Sequence, residues 1–372
     1  MPPTDGPRRR LLIAVGHTAG HVYPALAIAE AYRAAFPDVD VRFAGSGDGP
    51  AARLLRAHGF VLEPVASSPF GNVGTLGRLA AVPRILAGIA QARRLLAASG
   101  SRLVMGLGSY ASGPVLVAGR SLGLRLAIHE ANAVPGIANR LLAPLAHRIY
   151  LGSATVASAF PARRRRVTGH PVRPAIAELA SVPRMAPERI RAVRVLIMSG
   201  TRSAAFLAQR VPDLLAAVER RGLVVEALHQ AGDHAPNEVA HAYRRAGVKA
   251  TVVPYFDDIA SALRAADLLI APSGAGIVAE AAVAGLPALY VALGDAAGDH
   301  QTANAVAAAA AGAGLAARER EWQCETLAAC LSALLLDAHA WTTMSMAARR
   351  LAVPNAAERI VVDCEALMLG RW

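Results

Sequence analysis

The chain has 372 residues, of which 54% are hydrophobic and 5% aromatic, and its formal net charge is +12 at pH 7. At roughly 150 residues per domain, this length predicts two domains with aliphatic cores. The positive charge could meet nucleic acid, an anionic membrane or a phosphorylated substrate. The sequence interleaves no basic residues with aromatics and has no helix-turn-helix or zinc pattern, so we expect no nucleic-acid partner.

The cysteines and the apolar runs indicate the cellular compartment of the protein. Cys324, Cys330 and Cys364 have no CxxC spacing and predict free thiols in a reducing compartment. The apolar run that follows the basic start is too short for a signal peptide. No uncharged apolar stretch reaches the ~18 residues of a membrane-spanning helix. We therefore expect a cytoplasmic protein that is able to lie on a membrane surface.

Short apolar runs bounded by turn residues alternate with helical patterns, which indicates parallel βαβ sheets. The runs are residues 11–16, 39–45, 103–108, 124–129, 148–152, 193–200, 223–230, 249–253, 267–271 and 287–292. The pattern restarts after a segment rich in Pro and Arg. We predict an α/β fold with two Rossmann-like parallel-sheet domains, residues 1–175 and 193–350, a linker over 176–192, and a C-terminal helix within 351–372 that returns toward the first domain.

Two glycine-rich turns follow predicted strands in the first half. Residues 16–21 read GHTAGH, and residues 106–114 read GLGSYASGP. A glycine turn that leads into a helix offers backbone N–H groups and the positive end of the helix dipole to an anion such as phosphate. The two turns could therefore cradle a diphosphate. His21, with an ordinary pKa of about 6.5, could act as a general base or could be a capping or packing residue.

Polar clusters follow other predicted strands. Residues 129–140 read HEANAVPGIANR, at a strand end, where open α/β sheets bind ligands. These residues could instead form a turn and a solvated helix face. In the second half, residues 199–204 read SGTRSA, 273–280 read SGAGIVAE and 299–304 read DHQTAN. Glu280 could hold the vicinal hydroxyls of a ribose or be an ordinary surface residue, and the amides around Gln301 suit sugar hydroxyls.

In this order, the segments resemble the MurG family of peptidoglycan glycosyltransferases, which belongs to glycosyltransferase family 28 and has the GT-B fold. The family patterns are GGTGGH, GxGGYxSGP, HEQNxxPGxxNR, TGNPVR, GGSQGA, SGAxTxxE and DxHQxxNA. The matching segments are residues 16–21, 106–114, 129–140, 168–173, 199–204, 273–280 and 299–305. The resemblance implies two domains that face each other across a cleft. It also implies inverting transfer of N-acetylglucosamine from UDP-N-acetylglucosamine (UDP-GlcNAc) to the C4 hydroxyl of lipid I, undecaprenyl-diphospho-MurNAc-pentapeptide, giving lipid II for peptidoglycan.

The resemblance also assigns site residues. The catalytic candidates are His21, as the base toward the attacking hydroxyl, and Glu130, and which of them is the stronger base stays open. The donor UDP-GlcNAc would contact Thr18, Ala19, Gly20, Asn132, Arg173, Thr201, Phe256, Gly276, Glu280 and Gln301. The acceptor diphosphate would lie against Gly16, Gly20, Gly108, Ser109 and Tyr110. No metal or cofactor is expected, since helix N-termini and Arg173 can stabilise the leaving UDP.

A polyprenyl acceptor implies a peripheral protein on the cytoplasmic face of the cell membrane. Residues 79–96 combine apolar side chains with Arg84, Arg93 and Arg94. Such a basic amphipathic segment could lie on an anionic membrane surface, or it could pack its apolar face into the protein core.

Several positions differ from the family patterns. His17 and Ala19 replace glycines, His170 replaces the Asn of TGNPVR, and Arg202 and Ser203 replace the Gln and Gly of GGSQGA. These changes leave open a related glycosyltransferase with another acceptor, in specialised metabolism, and a non-catalytic binder of UDP-GlcNAc or a lipid precursor. A UDP-GlcNAc 2-epimerase of the same fold is disfavoured by the polar run 129–140, and a nicotinamide dehydrogenase by the missing GxGxxG.

Overall fold

The computed structural model describes residues 9–16, 19–47, 49–68, 75–188, 191–200, 204–294 and 299–371. Thr18 and Thr201, two of the predicted donor contacts, lie outside these ranges, as do His17, Arg202 and Ser203. The chain forms two compact units, one made of residues 1–173 with 355–372 and the other of residues 174–354.

The first unit contains a parallel sheet with seven strands in the described residues, in the order β3-β2-β1-β4-β5-β6-β7. Its strands are β1 (Arg10–Ala14), β2 (Asp40–Gly45), β3 (Leu62–Pro64), β4 (Ser101–Gly106), β5 (Arg125–Glu130), β6 (Arg148–Leu151) and β7 (Arg165–Val167). Its helices are α1 (Ala19–Ala35), α2 (Pro50–Ala57), α3 (Thr75–Ser99), α4 (Ser112–Ser121), α5 (Ile137–Leu142) and the C-terminal α14 (Ala356–Met368).

The second unit contains a parallel sheet with six strands in the described residues, in the order β10-β9-β8-β11-β12-β13. Its strands are β8 (Val193–Met198), β9 (Val225–Gln230), β10 (Lys249–Val253), β11 (Leu268–Pro272), β12 (Ala288–Ala292) and β13 (Leu315–Arg318). Its helices are α6 (Pro174–Ala177), α7 (Ala204–Glu219), α8 (Pro236–Ala246), α9 (Ile259–Ala265), α10 (Ala275–Ala284), α11 (His300–Ala310), α12 (Cys324–Leu336) and α13 (Ala338–Leu351).

The central strands are apolar on both sides because both faces of each sheet are covered by helices. In β1, Leu11 and Ile13 pack into a core shared with α1, α2 and α14. The alternate residues, Leu12 and Ala14, pack into a second core shared with α3, α4 and α5. This double burial explains why the central strands appear in the sequence as continuous apolar runs rather than as alternating patterns.

The strand order places the predicted loops. In each sheet the chain winds outward from its first strand in one direction and then in the other, so the order reverses between β1 and β4 and between β8 and β11. Ligands of such sheets bind in the crevice beyond the strand ends at this point of reversal. The loops at 16–21, 106–114, 199–204 and 273–280 follow these four strands. The topology therefore puts the candidate site at the carboxyl edge of each sheet.

Every strand predicted from an apolar run is present, within a few residues. Three further strands, β3, β7 and β13, were not predicted. Each has three or four residues, most of them at least partly exposed, and each lies at the edge of its sheet. An edge strand needs no continuous apolar run, because one side and often one face meet solvent, so periodicity alone does not reveal it.

The predicted linker over 176–192 is different in the structure, because its described residues pack into the second unit. Arg184 donates hydrogen bonds to the backbone carbonyls of Ala284 (2.8 Å), Ala266 (2.6 Å) and Leu263. Burial, with Arg349 nearby, lowers the pKa of this guanidinium to about 10. The Pro- and Arg-rich composition suggested a solvated connection, but the arginines are used to satisfy carbonyls at the ends of helices and strands.

The C-terminal helix α14 packs against α1 and completes the core of the first unit. Its Asp363 accepts hydrogen bonds from Nε of Arg148 at 2.6 Å and from the Tyr150 hydroxyl at 2.9 Å. In the part of the chain that the structure describes, no single helix is long and apolar enough to cross a membrane, and only the bent pair Cys324–Leu336 and Ala338–Met368 meets that test together.

Candidate active site

His21 is the third residue of α1 and lies between the two glycine turns of the first unit. A Cβ on Gly16 would lie 3.0 Å from Nδ1 of His21 and 2.8 Å from Cβ of Ser109, so only glycine leaves enough room. On the other side, Nε2 of His21 lies 3.7 Å from the position of a Cβ on Gly108. The two loops predicted from sequence therefore meet at one half-buried imidazole. This ring is within reach of a group bound beyond β1 and β4.

Ser109 adopts a left-handed backbone, with φ of 65°, where the family pattern GxGGYxSGP has a glycine. Its hydroxyl accepts a hydrogen bond from the N–H of Ala111 at 3.3 Å, and Ser112 donates its hydroxyl to the carbonyl of Gly108 at 2.5 Å. The loop is thus held by its own side chains in a conformation that is unfavourable for a serine. The left-handed backbone at Ser109 was not predicted, although the glycine at this position of the family pattern indicates it.

The other residues predicted for the acceptor diphosphate are accessible. Tyr110 is 38% exposed, next to Ser109 in the same loop. Gly20 is exposed in the first turn of α1, and no atom of its described surroundings lies within 4 Å of where its Cβ would stand, its own helix backbone aside. Ala19 begins the same helix, so it needs no left-handed backbone there. An anion could approach this helix end closely.

Glu130, the last residue of β5, is buried and holds the loop that follows it. Oε1 accepts hydrogen bonds from the backbone N–H of Asn132 at 3.0 Å and from its side-chain amide at 3.2 Å. Oε2 accepts from the N–H of Gly136 at 2.9 Å and from the amide of Asn139 at 2.8 Å. The residue is 1% exposed. With both oxygens engaged inside its own loop, this carboxylate is suited to positioning Asn132 rather than to accepting a proton from a substrate.

Two buried histidines lie beside this loop. The rings of His129 and His170 have centroids 5.2 Å apart. Burial lowers the pKa of His129 to about 4, although a hydrogen bond with the backbone of Gly169 acts in the opposite direction. Burial also lowers the pKa of His170 well below 6.5, and the proximity of His129 and His21 adds to this. Nε2 of His129 and Nδ1 of His170 have no hydrogen-bond partner among the described residues. Both imidazoles are therefore neutral near pH 7.

Arg173, predicted to contact the donor pyrophosphate, is held by an aromatic ring. Its guanidinium carbon lies 4.5 Å from the centroid of the Tyr23 ring, a cation–π contact with a residue of α1. This contact restrains the guanidinium, a group whose planar set of N–H donors can bind phosphate oxygens in a bidentate way.

In the second unit, amide side chains hold the loops after β11 and β12. Asn304 donates to the carbonyl of Ser273 at 3.0 Å, and the Ser273 hydroxyl donates to the carbonyl of Gln301 at 2.8 Å. The amide oxygen of Gln301 accepts from the N–H of Leu293 at 3.0 Å. Because its oxygen is used in this way, Gln301 would meet a sugar hydroxyl with its amide nitrogen.

Helix α10 begins at this same edge, directly after Gly274. No described side chain caps its N-terminus, so its first N–H groups suit an anion or a hydroxyl. Gly276, a predicted donor contact, lies in this first turn. Glu280, one turn further, is 8% exposed. This burial contradicts the alternative interpretation of Glu280 as an ordinary surface residue.

Phe256 lies in the segment after β10, and its N–H donates to Oε1 of Gln230 at 3.2 Å. Gln230 and the neighbouring His229 were not singled out from the sequence, although they end a predicted strand. The only available signal was a polar pair, His-Gln, at the carboxyl end of an otherwise apolar run. Among the described residues, no group of three or more His, Cys, Asp or Glu side chains is arranged to hold a metal ion.

Known proteins and family models match this chain over nearly its whole length. The family models described as the glycosyltransferase family 28 N-terminal domain and C-terminal domain match residues 11–151 and 194–360. A curated protein of Magnetococcus marinus is 36% identical over 355 residues, which cover 95% of this chain and 96% of that protein. One of Acidithiobacillus ferrooxidans is 39% identical over 361 residues, with the same coverage.

Both relatives are named UDP-N-acetylglucosamine–N-acetylmuramyl-(pentapeptide) pyrophosphoryl-undecaprenol N-acetylglucosamine transferase. Among solved structures, the crystal structure of Acinetobacter baumannii MurG is similar to this chain with a TM-score of 0.76 and 28% sequence identity, over 96% of this chain and 99% of that one. Sequence and fold therefore point to the same family.

Proposed function

The chain belongs to glycosyltransferase family 28 and is a hexosyltransferase of the GT-B fold, and from this premise we propose that it converts lipid I to lipid II. It transfers N-acetylglucosamine from UDP-GlcNAc to the C4 hydroxyl of the muramyl sugar, with inversion. The observation that carries this proposal is the imidazole of His21, packed between Gly16 and Gly108 at the start of a helix.

His21 serves as the general base of this reaction. The C4 hydroxyl oxygen attacks the anomeric carbon of the donor sugar, the bond from that carbon to the diphosphate of UDP breaks, and the hydroxyl proton passes to the imidazole. Glu130 acts through the loop that it holds, by fixing Asn132 toward the donor sugar. Its four donors and its 1% exposure support this positioning role over proton transfer.

The leaving UDP gains negative charge, which backbone N–H groups and arginine can stabilise. In the second unit the N-terminus of α10 supplies such N–H groups, and in the first unit Arg173 supplies a guanidinium that contacts the ring of Tyr23. Glu280 binds the ribose hydroxyls, and Gln301 binds the sugar through its amide nitrogen. The remaining donor contacts are Thr18, Ala19, Gly20, Thr201, Phe256 and Gly276, and the acceptor diphosphate lies against Gly16, Gly20, Gly108, Ser109 and Tyr110.

The acceptor is lipid-linked, and the first unit has a surface that suits an anionic membrane on the cytoplasmic face of the cell. Val82 and Leu86, one turn apart on α3, are 41% and 59% exposed, among the exposed Arg84, Arg93 and Arg94. The buried side of α3 packs into the core through Ala92 and Leu96. The core packing of this segment is therefore confirmed for its buried side, and we propose that the exposed side binds anionic lipid as a peripheral contact.

The membrane contact is tested by the double substitution Val82→Glu and Leu86→Glu. Two carboxylates on this surface lose apolar burial and repel anionic lipid, so binding to vesicles containing phosphatidylglycerol should fall at least about tenfold in a sedimentation assay. Val224→Glu, at a position 66% exposed in the second unit, is the matched control and should bind normally. Equal binding by the double variant and the parent protein would remove this surface from the proposal.

The reaction is tested by UDP release from UDP-GlcNAc, with and without a short-chain lipid I analogue. Release that depends on the acceptor, together with a disaccharide product, is the expected result. Donor binding with no release would point to a different acceptor or to a non-catalytic binder, and either would contradict the proposed transfer. Absence of UDP-GlcNAc binding would contradict the whole assignment of the donor site.

A further inference from the structure

Gln230 is the last residue of β9, the strand between β8 and β10 in the second sheet. We propose that Gln230 is a positioning residue for the donor nucleotide, because its side-chain amide joins the chain leaving β8 to the chain leaving β10 and sets both for UDP. This inference rests on the proposed function, since it takes UDP-GlcNAc as the donor.

Both ends of the Gln230 amide are engaged with backbone. Nε2 donates a hydrogen bond to the carbonyl of Ser199 at 3.0 Å, and Oε1 accepts one from the N–H of Phe256 at 3.2 Å. In the sheet, Gln230 is in register with Met198 on one side and Val253 on the other. Backbone hydrogen bonds continue just past the strand ends, from the N–H of Ser199 to the carbonyl of Gln230 and from the N–H of Ala231 to the carbonyl of Val253. The side chain of Gln230 adds one contact to each neighbouring chain at this edge.

The planarity of the peptide unit gives this contact its effect. In a trans peptide the C=O and the following N–H point in opposite directions. Because Gln230 holds the carbonyl of Ser199 toward itself, the N–H of Gly200 points away from Gln230. In the same way, the hydrogen bond from the N–H of Phe256 to Oε1 of Gln230 directs the carbonyl of Tyr255 away from Gln230. One side chain thus sets the orientation of two peptide units that flank the donor loops.

A second contact fixes Ser199 independently. Its hydroxyl lies 3.1 Å from Nε2 of His229, and Nδ1 of His229 lies 2.9 Å from the hydroxyl of Tyr243. Ser199 and His229 are 2% and 0% exposed. The family pattern GGSQGA has a glycine at the position of Ser199, so this chain adds an anchor that a glycine cannot make. The anchored serine is a rigid partner for Gln230, and a loop that is already ordered loses less entropy when it binds a ligand.

The test uses the full-length protein and the probes UDP and uridine. Gln230→Met keeps the length of the side chain and removes both hydrogen bonds. We expect the Kd for UDP and the KM for UDP-GlcNAc to rise about tenfold and kcat to change less than about threefold. The dissociation constant for uridine should also rise. Gln230→Glu keeps an acceptor for the N–H of Phe256 but loses the donor to Ser199. It should therefore retain uridine binding within about twofold while binding UDP more weakly.

Ser345→Ala is the matched control in the same unit. Ser345 is buried and donates to the carbonyl of Gly285 at 2.6 Å, between α10 and β12 at the opposite edge of the sheet. Loss of this hydrogen bond should lower the thermal midpoint, as Gln230→Met does, and should leave the KM for UDP-GlcNAc unchanged.

Unchanged affinities for UDP and uridine in Gln230→Met overturn the positioning role. If Gln230→Met does not fold, equal weakening of uridine and UDP in a folded Gln230→Glu overturns it. Failure of the parent protein to bind UDP contradicts the proposed function instead.

Discussion

The loops at the carboxyl edge of each sheet are held in place by different side chains in the two units. In the first unit, a buried carboxylate, Glu130, orders the loop after β5, beside the neutral imidazoles of His129 and His170. In the second unit, neutral amides order the loops, through Gln230 and Gln301. At the candidate base of the first unit, the group that holds the loop is thus a buried carboxylate. In the second unit, amides hold Ser199, Phe256 and Leu293, while the carboxylate of Glu319 accepts from the N–H of Gly294 beyond them.

An uncharged amide suits the positions of Gln230 and Gln301, because a diphosphate donor carries negative charge. A carboxylate at either of these two positions would repel the diphosphate in a partly buried site. An amide makes the same kind of hydrogen bond to backbone without that repulsion. In the first unit, Glu130 is buried and both of its oxygens accept hydrogen bonds from its own loop, so its charge is compensated there. Proton transfer and nucleotide binding thus place different demands on the residues that support them.

The largest expected effect separates the two edges directly. His21→Ala removes the candidate base of the first unit and should lower kcat by about 10²- to 10⁴-fold, while the KM for UDP-GlcNAc changes little, because His21 is not among the proposed donor contacts. UDP release with a lipid I analogue measures both quantities. His58→Ala is the control, since His58 pairs with Glu30 at 2.7 Å on an exposed surface of the same unit. Turnover of His21→Ala within threefold of the parent would show that another group takes the proton.

The buried histidines predict a loss of stability in acid that both units share. Burial lowers the pKa of His129 and of His229 to about 4, against 6.5 when exposed. The unfolded chain then binds more protons than the folded one below pH 6.5, so stability falls as the pH decreases from about 6.5 to about 4. Each histidine accounts for about 3 kcal/mol across that window. Urea unfolding between pH 7.5 and pH 5 measures how the free energy of unfolding changes with pH, above the range where carboxylates titrate.

His229→Asn removes one of these titrating groups. The free energy of unfolding should then depend less steeply on pH, by the equivalent of about one proton. Because His229 is in the second unit, a signal from that unit should respond to the substitution more than a signal from the first. Stability that stays flat between pH 7 and pH 5 in the parent protein would show that these imidazoles are hydrated or paired in solution.

The sequence predicts the central strands, and through them the loops, because burial on both faces leaves a continuous apolar run in the chain. It also predicts that His21 lies just inside the first helix and that Glu130 lies at a strand end, as the structure has them. The edge strands β3, β7 and β13 leave no such signature. Nor does the sequence distinguish the base from the positioning residue, because the hydrogen bonds that occupy Glu130 depend on how the turn at 132–136 closes.

Other features of the site depend on contacts that no local pattern encodes. The bridging role of Gln230 requires the neighbours of β9 to be known, since Ser199 and Phe256 lie 31 and 26 residues away along the chain. The packing of the segment 174–188 on the second unit likewise depends on distant partners. Arg184 of this segment donates to the carbonyl of Ala284, and Arg349 of α13 donates to the carbonyl of Ala180 within the segment. Pattern and composition indicate where chemistry is placed, while the division of roles comes from three-dimensional contacts.

A smaller effect is expected where the supporting charge of the first unit is removed. Glu130→Gln keeps the shape but turns an NH2 group toward donors that need an acceptor, so the unfolding free energy should fall by about 2–4 kcal/mol. Turnover should decrease because Asn132 is released, yet the pH profile of the remaining activity should keep its base limb if His21 is the base. A profile that loses this limb would instead assign proton transfer to Glu130. Thermal unfolding and the pH profile of UDP release together make the distinction.

The smallest expected effect concerns the strained serine beside His21. Ser109 has a φ of 65°, which glycine adopts without steric cost, so Ser109→Gly should relieve roughly 1 kcal/mol of strain. Part of this gain is offset by the greater entropy of a glycine in the unfolded chain and by the lost bond to the N–H of Ala111. The net rise in thermal midpoint should be a few degrees at most. Ser109→Ala keeps the strain and loses that bond, so it should unfold earlier than the parent. If both variants unfold earlier, the serine hydroxyl contributes more than the backbone strain costs, and the loop of the first unit is stabilised by hydrogen bonding in the same way as the amide-held loops of the second.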